Sequence, residues 1–256
     1  MIRIAVDLPP QHCDFADLRR AALEAEEGGA DIVFTWDHFF PLSGDPQGKH
    51  LECWTVLAAL AEATRRVELG PLVSCIGYRN PNLLADMART VDHVSGGRVI
   101  LGLGSGWCAR DYQEYGYAFG TAGSRLRDLE AALPVLRHRL ERLNPPPLRR
   151  MPLLIGGVGE KVTLRLVAEH ADIWHGLGEP RVLAHKARVL DDWCARVGRD
   201  PGTLERSTSI FDLDRLELGD ELVELGFRCL VLELKGPAFD MAPLARWVRW
   251  RDRLKA

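Results

Sequence analysis

The sequence predicts an α/β protein whose parallel strands close into a (β/α)8 TIM barrel. Segments typical of strands alternate with segments typical of helices along the whole chain, which favours a parallel sheet. The chain has 256 residues, the usual size of one such barrel. We therefore expect a single domain over residues 1–256. An open, doubly wound sheet is the alternative for the same alternation.

Eight short segments have the length and the branched apolar composition of strands. In chain order they are Ile2–Val6, Asp31–Trp36, Val67–Cys75, Arg98–Leu103, Pro152–Ile155, Ala171–Trp174, Arg206–Phe211 and Cys229–Leu234.

Apolar residues recur at helical spacing between these strands, and local signals mark some of the helices. Asn80 is a good N-cap, and Pro81 suits the first helical position. The leucine stripe over residues 126–140 predicts a longer helix, which Pro134 should kink. A last helix is predicted over residues 242–254.

Loop lengths favour a functional site at one end of the barrel. Most helix-to-strand connections are tight, whereas the strand-to-helix connections over Asp37–Leu51 and Gly104–Gly123 exceed the usual two to six residues. Loops that follow strands form the carboxyl-terminal face, where barrel enzymes place their active sites. The asymmetry predicts an enzyme or a binding protein.

Composition excludes several classes of partner and site. A net charge of −3 argues against nucleic acid or an anionic membrane as the main partner. The six cysteines are scattered without a CxxC pair, which is typical of free thiols in the cytoplasm. No apolar run reaches the length of a membrane span, and no signal segment is evident. Metal and nucleophilic-serine motifs are lacking, so we expect no metal.

Two motifs at strand tips carry polar groups. Asp37 and His38 leave the second strand, and a histidine there can exchange protons near neutral pH. The alternative is that Asp37 caps a turn while His38 bonds to backbone. After the third strand, Arg79 precedes a helix whose N-terminus is a possible anion site. The alternative there is a structural turn with Arg79 in an ion pair.

Two glycine-rich segments follow later strands. Residues 102–107 have the spacing G-x-G-x-G, which lets a ligand approach the backbone but is not the Rossmann fingerprint. The turn over residues 155–161 enters a helix and offers N–H groups to a phosphate. It lacks the ending of a Walker loop, and a tight structural turn is the alternative.

Each motif is weak alone, but their order and spacing together resemble the bacterial luciferase-like monooxygenase family. Within it, the sequence is similar to the branch that uses the deazaflavin coenzyme F420. The resemblance covers about residues 31–176 and is loose over the last 80. The runs that carry it are Trp36–Phe39, Tyr78–Pro81, Leu84–Arg98, Gly102–Trp107, Tyr115–Gly116, Leu154–Leu164 and Ala171–Trp174.

The family resemblance implies a flat cofactor ring in the barrel mouth. It also implies a non-proline cis peptide at the end of strand three, by position Leu72–Val73. The implied cofactor-binding residues are Leu72, Val73, Ser74, Cys75, Arg79, Gly104, Gly106, Trp107, Gly156, Gly157 and Gly159.

The resemblance further implies an oxidoreductase that transfers a hydride between the deazaflavin and a small organic substrate. His38 would accept or donate the proton, and Asp37 would help to position it. Family habit favours a homodimer. An FMN-dependent monooxygenase of the same family, a non-catalytic cofactor-binding barrel and an unrelated barrel enzyme are the alternatives.

The sequence departs from its relatives in two places. Only residues 138–151 stand where the family usually inserts more residues before the Gly-Gly strand. An acid that some relatives place after the glycine-rich turn is replaced by Trp107, and Asp111 is the nearest substitute.

Overall fold

A computed structural model describes residues 1–254 and shows parallel strands in one sheet. The strand order is β3-β2-β1-β9-β8-β7-β6-β5-β4. The strands are β1 Arg3–Asp7, β2 Ile32–Thr35, β3 Glu68–Pro71, β4 Ser74–Cys75, β5 Leu101–Gly104, β6 Leu153–Gly156, β7 Ile173–Gly176, β8 Glu205–Ile210 and β9 Phe227–Glu233.

The sheet closes into a barrel where β3 and β4 meet β5. A parallel bridge between Leu69 of β3 and Val99 joins β3 to the segment that leads into β5, and β4 pairs with β5 beyond it. The predicted TIM barrel is therefore confirmed. The prediction of one unbroken strand over Val67–Cys75 was wrong, because β3 and β4 are separated by Leu72 and Val73. The peptide bond between these two residues is cis, as the family resemblance implied.

Helices follow the strands and pack on the outside of the barrel. They are α1 Phe15–Glu27, α2 Cys53–Ala63, α3 Pro81–Ser95, α4 Ala109–Glu114, α5 Ala122–Arg142, α6 Thr163–His170, α7 Pro180–Arg196, α8 Glu217–Glu224 and α9 Ala242–Arg253. None of these helices is long and apolar enough to cross a membrane.

Local signals set several helix ends. The Asn80 side chain accepts from the backbone N–H of Asn82, and α3 begins at Pro81, as predicted. Helix α5 continues through Pro134 rather than ending there. Of the two long loops, the one after β2 carries no helix, whereas the one after β5 contains the short helix α4. This helix supplies side chains to the barrel mouth.

Apolar residues form one core between strands and helices and a smaller core inside the barrel. The buried inner core consists of Ala5, Ile32, Phe34, Ile100, Leu154, Ile173, Cys229 and Val231. Because side chains alternate along a strand, a residue two positions beyond an inner residue also faces inward, nearer the carboxyl-terminal mouth. This alternation directs four further side chains toward the mouth, namely Asp7, Trp36, His175 and Glu233.

Candidate active site

His38 belongs to a hydrogen-bonded group of side chains on one side of the mouth. Its Nδ1 lies 2.5 Å from Oδ2 of Asp111, the buried acid that α4 carries. The hydroxyl of Tyr78, in the turn after β4, donates to the same oxygen at 2.8 Å. The backbone N–H of Phe39 donates to Oδ1 at 3.1 Å. Three chain segments therefore converge on one carboxylate.

These bonds favour the ionised form of Asp111. Burial opposes the charge, but the hydrogen bonds from His38 and Tyr78 outweigh it and lower the pKa of the carboxyl. An ionised Asp111 accepts a proton-bearing Nδ1, which fixes the tautomer of His38 and leaves Nε2 for proton exchange. Asp111, the nearest substitute for the acid that Trp107 replaces, is the carboxylate that contacts His38.

Two tryptophans flank the imidazole. The ring of His38 makes edge contacts with Trp36, at a centroid distance of 6.1 Å, and with Trp107, at 5.5 Å. Trp107 is 65% exposed, so this large apolar ring lies at the open end of the barrel. We call the group of His38, Tyr78, Trp107 and Asp111 the His38 wall.

Asp37 does not position His38, contrary to the sequence prediction. Its two carboxylate oxygens accept from the guanidinium of Arg79 at 2.5 and 3.0 Å. Arg79 also donates to Glu52 at 2.5 Å. Burial opposes the charge on Arg79, but Asp37 and Glu52 outweigh it and raise its pKa, so the guanidinium stays charged and Asp37 is its counter-ion.

The pairing of Arg79 also bears on its predicted role in anion binding. Only 9% of its side chain is exposed, and two carboxylates already neutralise it. Arg79 thus forms the ion pair that was the alternative to an anion site. It anchors the loop after β2 to the start of α3, so its visible role is structural.

Val73 projects into the mouth between glycines of neighbouring strands. A Cβ added to Gly104 would lie 2.6 Å from the Val73 side chain, and one added to Gly156 would lie 3.1 Å from it. Both distances are shorter than ordinary contacts between carbon atoms. The two glycines therefore make room for Val73, and the sequence motifs meet at this point as predicted. Leu72 packs on the inner core beside it.

Ser74 and Cys75 are engaged by the protein itself. The Ser74 hydroxyl accepts from the indole N–H of Trp54 at 2.7 Å. The sulfur of Cys75 lies 3.0 Å from the Tyr112 hydroxyl, behind the mouth. A Cβ on Gly106 would meet both of these groups, at 2.5 Å from the sulfur and 2.3 Å from the hydroxyl. These residues pack the support of the mouth.

The glycine turn after β6 is likewise held by internal contacts. The backbone N–H of Gly157 donates to the carbonyl of His175 at 2.9 Å, and its own carbonyl accepts from Trp174. A Cβ on Gly159 would lie 2.9 Å from the Thr163 hydroxyl. The N–H of Gly157 is thus already used, which the phosphate prediction did not foresee.

A second polar group lies across four neighbouring strands, and sequence reasoning missed it. His175 Nδ1 lies 3.0 Å from the Ser207 hydroxyl, and its Nε2 lies 3.3 Å from the hydroxyl of Ser209. Glu233, at the end of β9, is the register partner of Asp7 in β1. We call Asp7, His175, Ser209 and Glu233 the Asp7 wall. The available signal was an acid that ends an apolar strand, in RIAVD and in FRCLVLE.

The Asp7 wall favours neutral side chains. Burial and the neighbouring carboxyl of Glu233 raise the pKa of Asp7 well above its usual range, and burial also raises the pKa of Glu233. Burial lowers the pKa of His175 to about 4, so this imidazole is neutral at pH 7. The two carboxyls therefore hold a proton more readily than exposed acids do.

Three buried polar atoms at or beside the mouth have no hydrogen-bond partner within residues 1–254. They are Oδ1 of Asp7, Nε1 of Trp36 and Nε2 of His50. An unsatisfied buried group costs about 1–3 kcal/mol, so unpartnered atoms mark places where a ligand can bind. Large apolar side chains at strand tips surround the same opening: Leu177 is 49% exposed and Phe211 is 70% exposed.

A cluster of possible metal ligands also includes His38. Ligand atoms of His38, Cys108 and Asp111 lie within 4.8 Å of one another. The hydrogen bonds from His38 and Tyr78 to Asp111 already account for the position of these groups. The six cysteines are free thiols, as predicted.

The parallel barrel and the histidine–carboxylate pair at its strand tips define a (β/α)8 barrel with a candidate site at the carboxyl ends of its strands. Residues 1–211 match the sequence profile of the luciferase-like monooxygenases. The chain belongs to the luciferase-like monooxygenase family.

Curated relatives include enzymes with two different activities. The chain is 31% identical over 140 residues to the F420-dependent glucose-6-phosphate dehydrogenase of Amycolatopsis mediterranei. This match covers 54% of this chain and 41% of the relative. It is 28% identical over 216 residues to the pyrimidine monooxygenase RutA of Methylorubrum extorquens. This second match covers 75% of this chain and 58% of the relative. Each match spans less than two thirds of the relative's own length.

Solved structures share the fold at lower identity. An F420-dependent secondary alcohol dehydrogenase, in complex with an F420–acetone adduct, superposes with a TM-score of 0.85 at 18% identity. The superposition covers 95% of this chain and 96% of the other. This likeness establishes the architecture of the barrel from end to end.

Proposed function

We propose that the protein is an oxidoreductase that binds the deazaflavin coenzyme F420 in the barrel mouth and exchanges a hydride with a small organic substrate. The observation that carries the proposal is the pairing of His38 with Asp111, at the tip of β2. Val73, with Gly104 and Gly156 beside it, forms what we call the floor of the same mouth. A histidine held by an ionised carboxylate is suited to move a proton while a hydride is transferred elsewhere.

The residues present fit a flat ring. Val73 stands between Gly104 and Gly156, which carry no side chains that would block a planar ligand above it. The exposed ring of Trp107 contacts His38 and offers an apolar surface, and the unpartnered indole N–H of Trp36 can donate to a ring carbonyl or nitrogen. When bound, the deazaflavin supplies a carbon that accepts or releases the hydride.

The chain itself supplies positioning and proton exchange. Asp111 holds Nδ1 of His38, so Nε2 of the same ring accepts a proton from a substrate hydroxyl or returns it to a carbonyl. Tyr78 donates to Asp111 and keeps the carboxylate ionised. The side chains of Trp107, Leu177 and Phe211 exclude water from the apolar part of a bound substrate.

Cofactor titration tests the proposal directly. Purified protein is titrated with F420 and, separately, with FMN, and binding is followed by fluorescence or calorimetry. We expect F420 to bind more tightly. A screen of small alcohols and carbonyl compounds with the bound cofactor should then reveal hydride transfer through a change in F420 absorbance. Binding of neither cofactor would overturn the proposal.

An FMN-dependent monooxygenase is the second candidate. The pyrimidine monooxygenase RutA matches a larger share of this chain than the F420-dependent relative does, 75% against 54%. Tight FMN binding, together with substrate-dependent oxygen consumption by the reduced flavin, would favour this candidate over the first. A homodimeric state and a cytoplasmic location remain predictions, and sedimentation analysis would test the first of them.

A further inference from the structure

The Asp7 wall contains acidic groups that the proposed proton transfer does not use. Asp7 ends β1 and Glu233 ends β9, and the two residues are direct partners in the parallel pairing of these strands. Burial and the neighbouring carboxyl of Glu233 raise the pKa of Asp7 well above its usual range. Two neighbouring carboxyls hold a proton more readily than a single exposed acid does.

No basic side chain balances this pair. Within residues 1–254, neither Asp7 nor Glu233 forms a salt bridge with Arg, Lys or His. His175, which contacts Ser209, is kept neutral at pH 7 by burial. In the His38 wall, by contrast, Asp111 accepts from His38, and Asp37 in the neighbouring loop is paired with Arg79. The Asp7 wall therefore contains two acids and no cationic side chain.

One acceptor of the pair is also unpartnered. Oδ1 of Asp7 is buried and receives no hydrogen bond, while the Asp7 residue is only 2% exposed. A buried carboxylate oxygen without a donor costs free energy that a donor from a ligand would recover. This oxygen belongs to a side chain that faces the mouth, so a ligand there can supply the donor.

The mouth is open to such a ligand. Glu233 and Ser209 remain partly exposed although both occupy inward positions. Exposed apolar side chains of Phe211 and Leu177 lie at the tips of β8, which pairs with the Glu233 strand β9, and of β7, which pairs with β8. An apolar rim above a few convergent polar groups is the usual arrangement of a site for a small organic molecule.

We propose that Asp7 and Glu233 form a recognition site for the ammonium group of a small organic amine, with the apolar rim contacting its carbon skeleton. The ammonium takes the place of a carboxyl proton, which is released to solvent, and an N–H of the ligand donates to Oδ1 of Asp7. The inference rests on the proposed function only in placing the ligand in the same mouth, and it specifies amines as the substrate class.

Matched ligands test the site without turnover. Cyclohexylamine, cyclohexanol and cyclohexyltrimethylammonium are titrated into the protein loaded with its cofactor, and into the cofactor-free protein, by calorimetry or NMR. We expect the amine to bind about tenfold or more tightly than the alcohol, the size of a hydrogen bond between charged groups. The trimethylammonium ion should bind more weakly than the amine, because it has no N–H.

Variants locate the preference. Asp7→Asn and Glu233→Gln keep the shape of each side chain and should each remove most of the preference for the amine. Glu27→Gln is the matched control, since Glu27 is an exposed acid at the carboxyl-terminal end of α1. The control should keep the preference.

Three results would overturn the inference: equal affinity of the wild-type protein for amine and alcohol, a preference that survives both variants, or a preference lost in Glu27→Gln. If a variant fails to fold, the wild-type comparison of amine and trimethylammonium still decides, because equal affinity for these two contradicts an N–H bond to Asp7. Failure of F420 and FMN to bind, with the amine preference intact, would refute the proposed function alone.

Discussion

The two walls of the barrel mouth differ in how their charges are compensated. In the His38 wall, Asp111 accepts three hydrogen bonds, and in the same loop region Asp37 is paired with Arg79. In the Asp7 wall, two carboxyls face each other without a cation, and one buried oxygen has no donor. Side chains that are fully hydrogen-bonded within the protein are held in position for catalysis. Buried polar atoms without a partner indicate where a ligand can bind.

Removing the imidazole of the His38 wall should have the largest effect. We expect His38→Ala to lower turnover about a hundredfold or more while cofactor affinity changes only a few fold, because the histidine moves a proton and does not form the floor. Steady-state kinetics and cofactor titration measure the two quantities. His138→Ala, an exposed histidine on α5, is the control. Unchanged turnover in His38→Ala would remove its assigned role.

Asn substitutions at Asp111 and at Asp37 separate an effect on catalysis from an effect on stability. Asp111→Asn should lower turnover about tenfold or more, because a neutral amide does not hold the proton-bearing Nδ1 of His38 as a carboxylate does. Asp37→Asn should instead reduce the free energy of unfolding by about 2 kcal/mol, since it weakens the buried partnership with Arg79. Kinetics and urea denaturation give both values.

The exposed Asp192 on α7 provides the control for stability, as Asp192→Asn. A loss of turnover in Asp37→Asn equal to that in Asp111→Asn would show that the two acids act as one unit, against the separation seen in the structure.

A methyl group added at Gly104 tests the packing of Val73 in the floor between the two walls. Gly104→Ala places a Cβ 2.6 Å from the Val73 side chain, so it should destabilise the fold by about 1–3 kcal/mol. Removing the obstacle in the double variant Gly104→Ala with Val73→Ala should recover part of this loss. Denaturation of the two single variants and the double variant gives the coupling between the residues. Additive effects would mean that the two side chains do not meet.

The pH dependence of stability should show the smallest effect and concerns the Asp7 wall. Asp7 and Glu233 have raised pKa values, so the folded state binds more protons than the unfolded state, and stability falls as pH rises through their folded pKa values. His175 has its pKa lowered from 6.5 to about 4 and acts in the opposite sense, because stability falls as pH drops below 6.5.

Glu233→Gln removes one carboxyl and its repulsion of the Asp7 carboxylate. The free energy of unfolding that is lost as pH rises should therefore be smaller than in the wild-type protein by about 1 kcal/mol. Calorimetric unfolding between pH 4 and pH 9, compared with Glu27→Gln, measures this difference. Identical pH profiles of the wild-type protein and Glu233→Gln would contradict a carboxyl pair in the folded state.

The sequence predicts the barrel well because the alternation of strands and helices is a local property. It also indicates His38, since that residue belongs to a motif at a strand tip. It does not indicate which acid reaches His38. Asp37 is adjacent in the chain, but Asp111 lies on α4 and meets the imidazole only after the loop beyond β5 folds back.

The Asp7 wall was missed for a related reason. Asp7 and Glu233 stand at opposite ends of the chain and become neighbours only when β9 pairs with β1 as the barrel closes. Single acids at strand ends are common, and their proximity is a property of the closed sheet. The glycine motifs also gave no sign that Val73 would stand between Gly104 and Gly156.

The close fit of Val73 against its two glycine neighbours limits how this barrel can diversify. Any side chain at those glycine positions would have to displace the valine, so the centre of the mouth offers no room for new specificity. Adaptation to other substrates is left to the long segments after β2 and β5 and to the exposed tips such as Phe211. A directed-evolution library should therefore keep the centre constant and vary only this periphery.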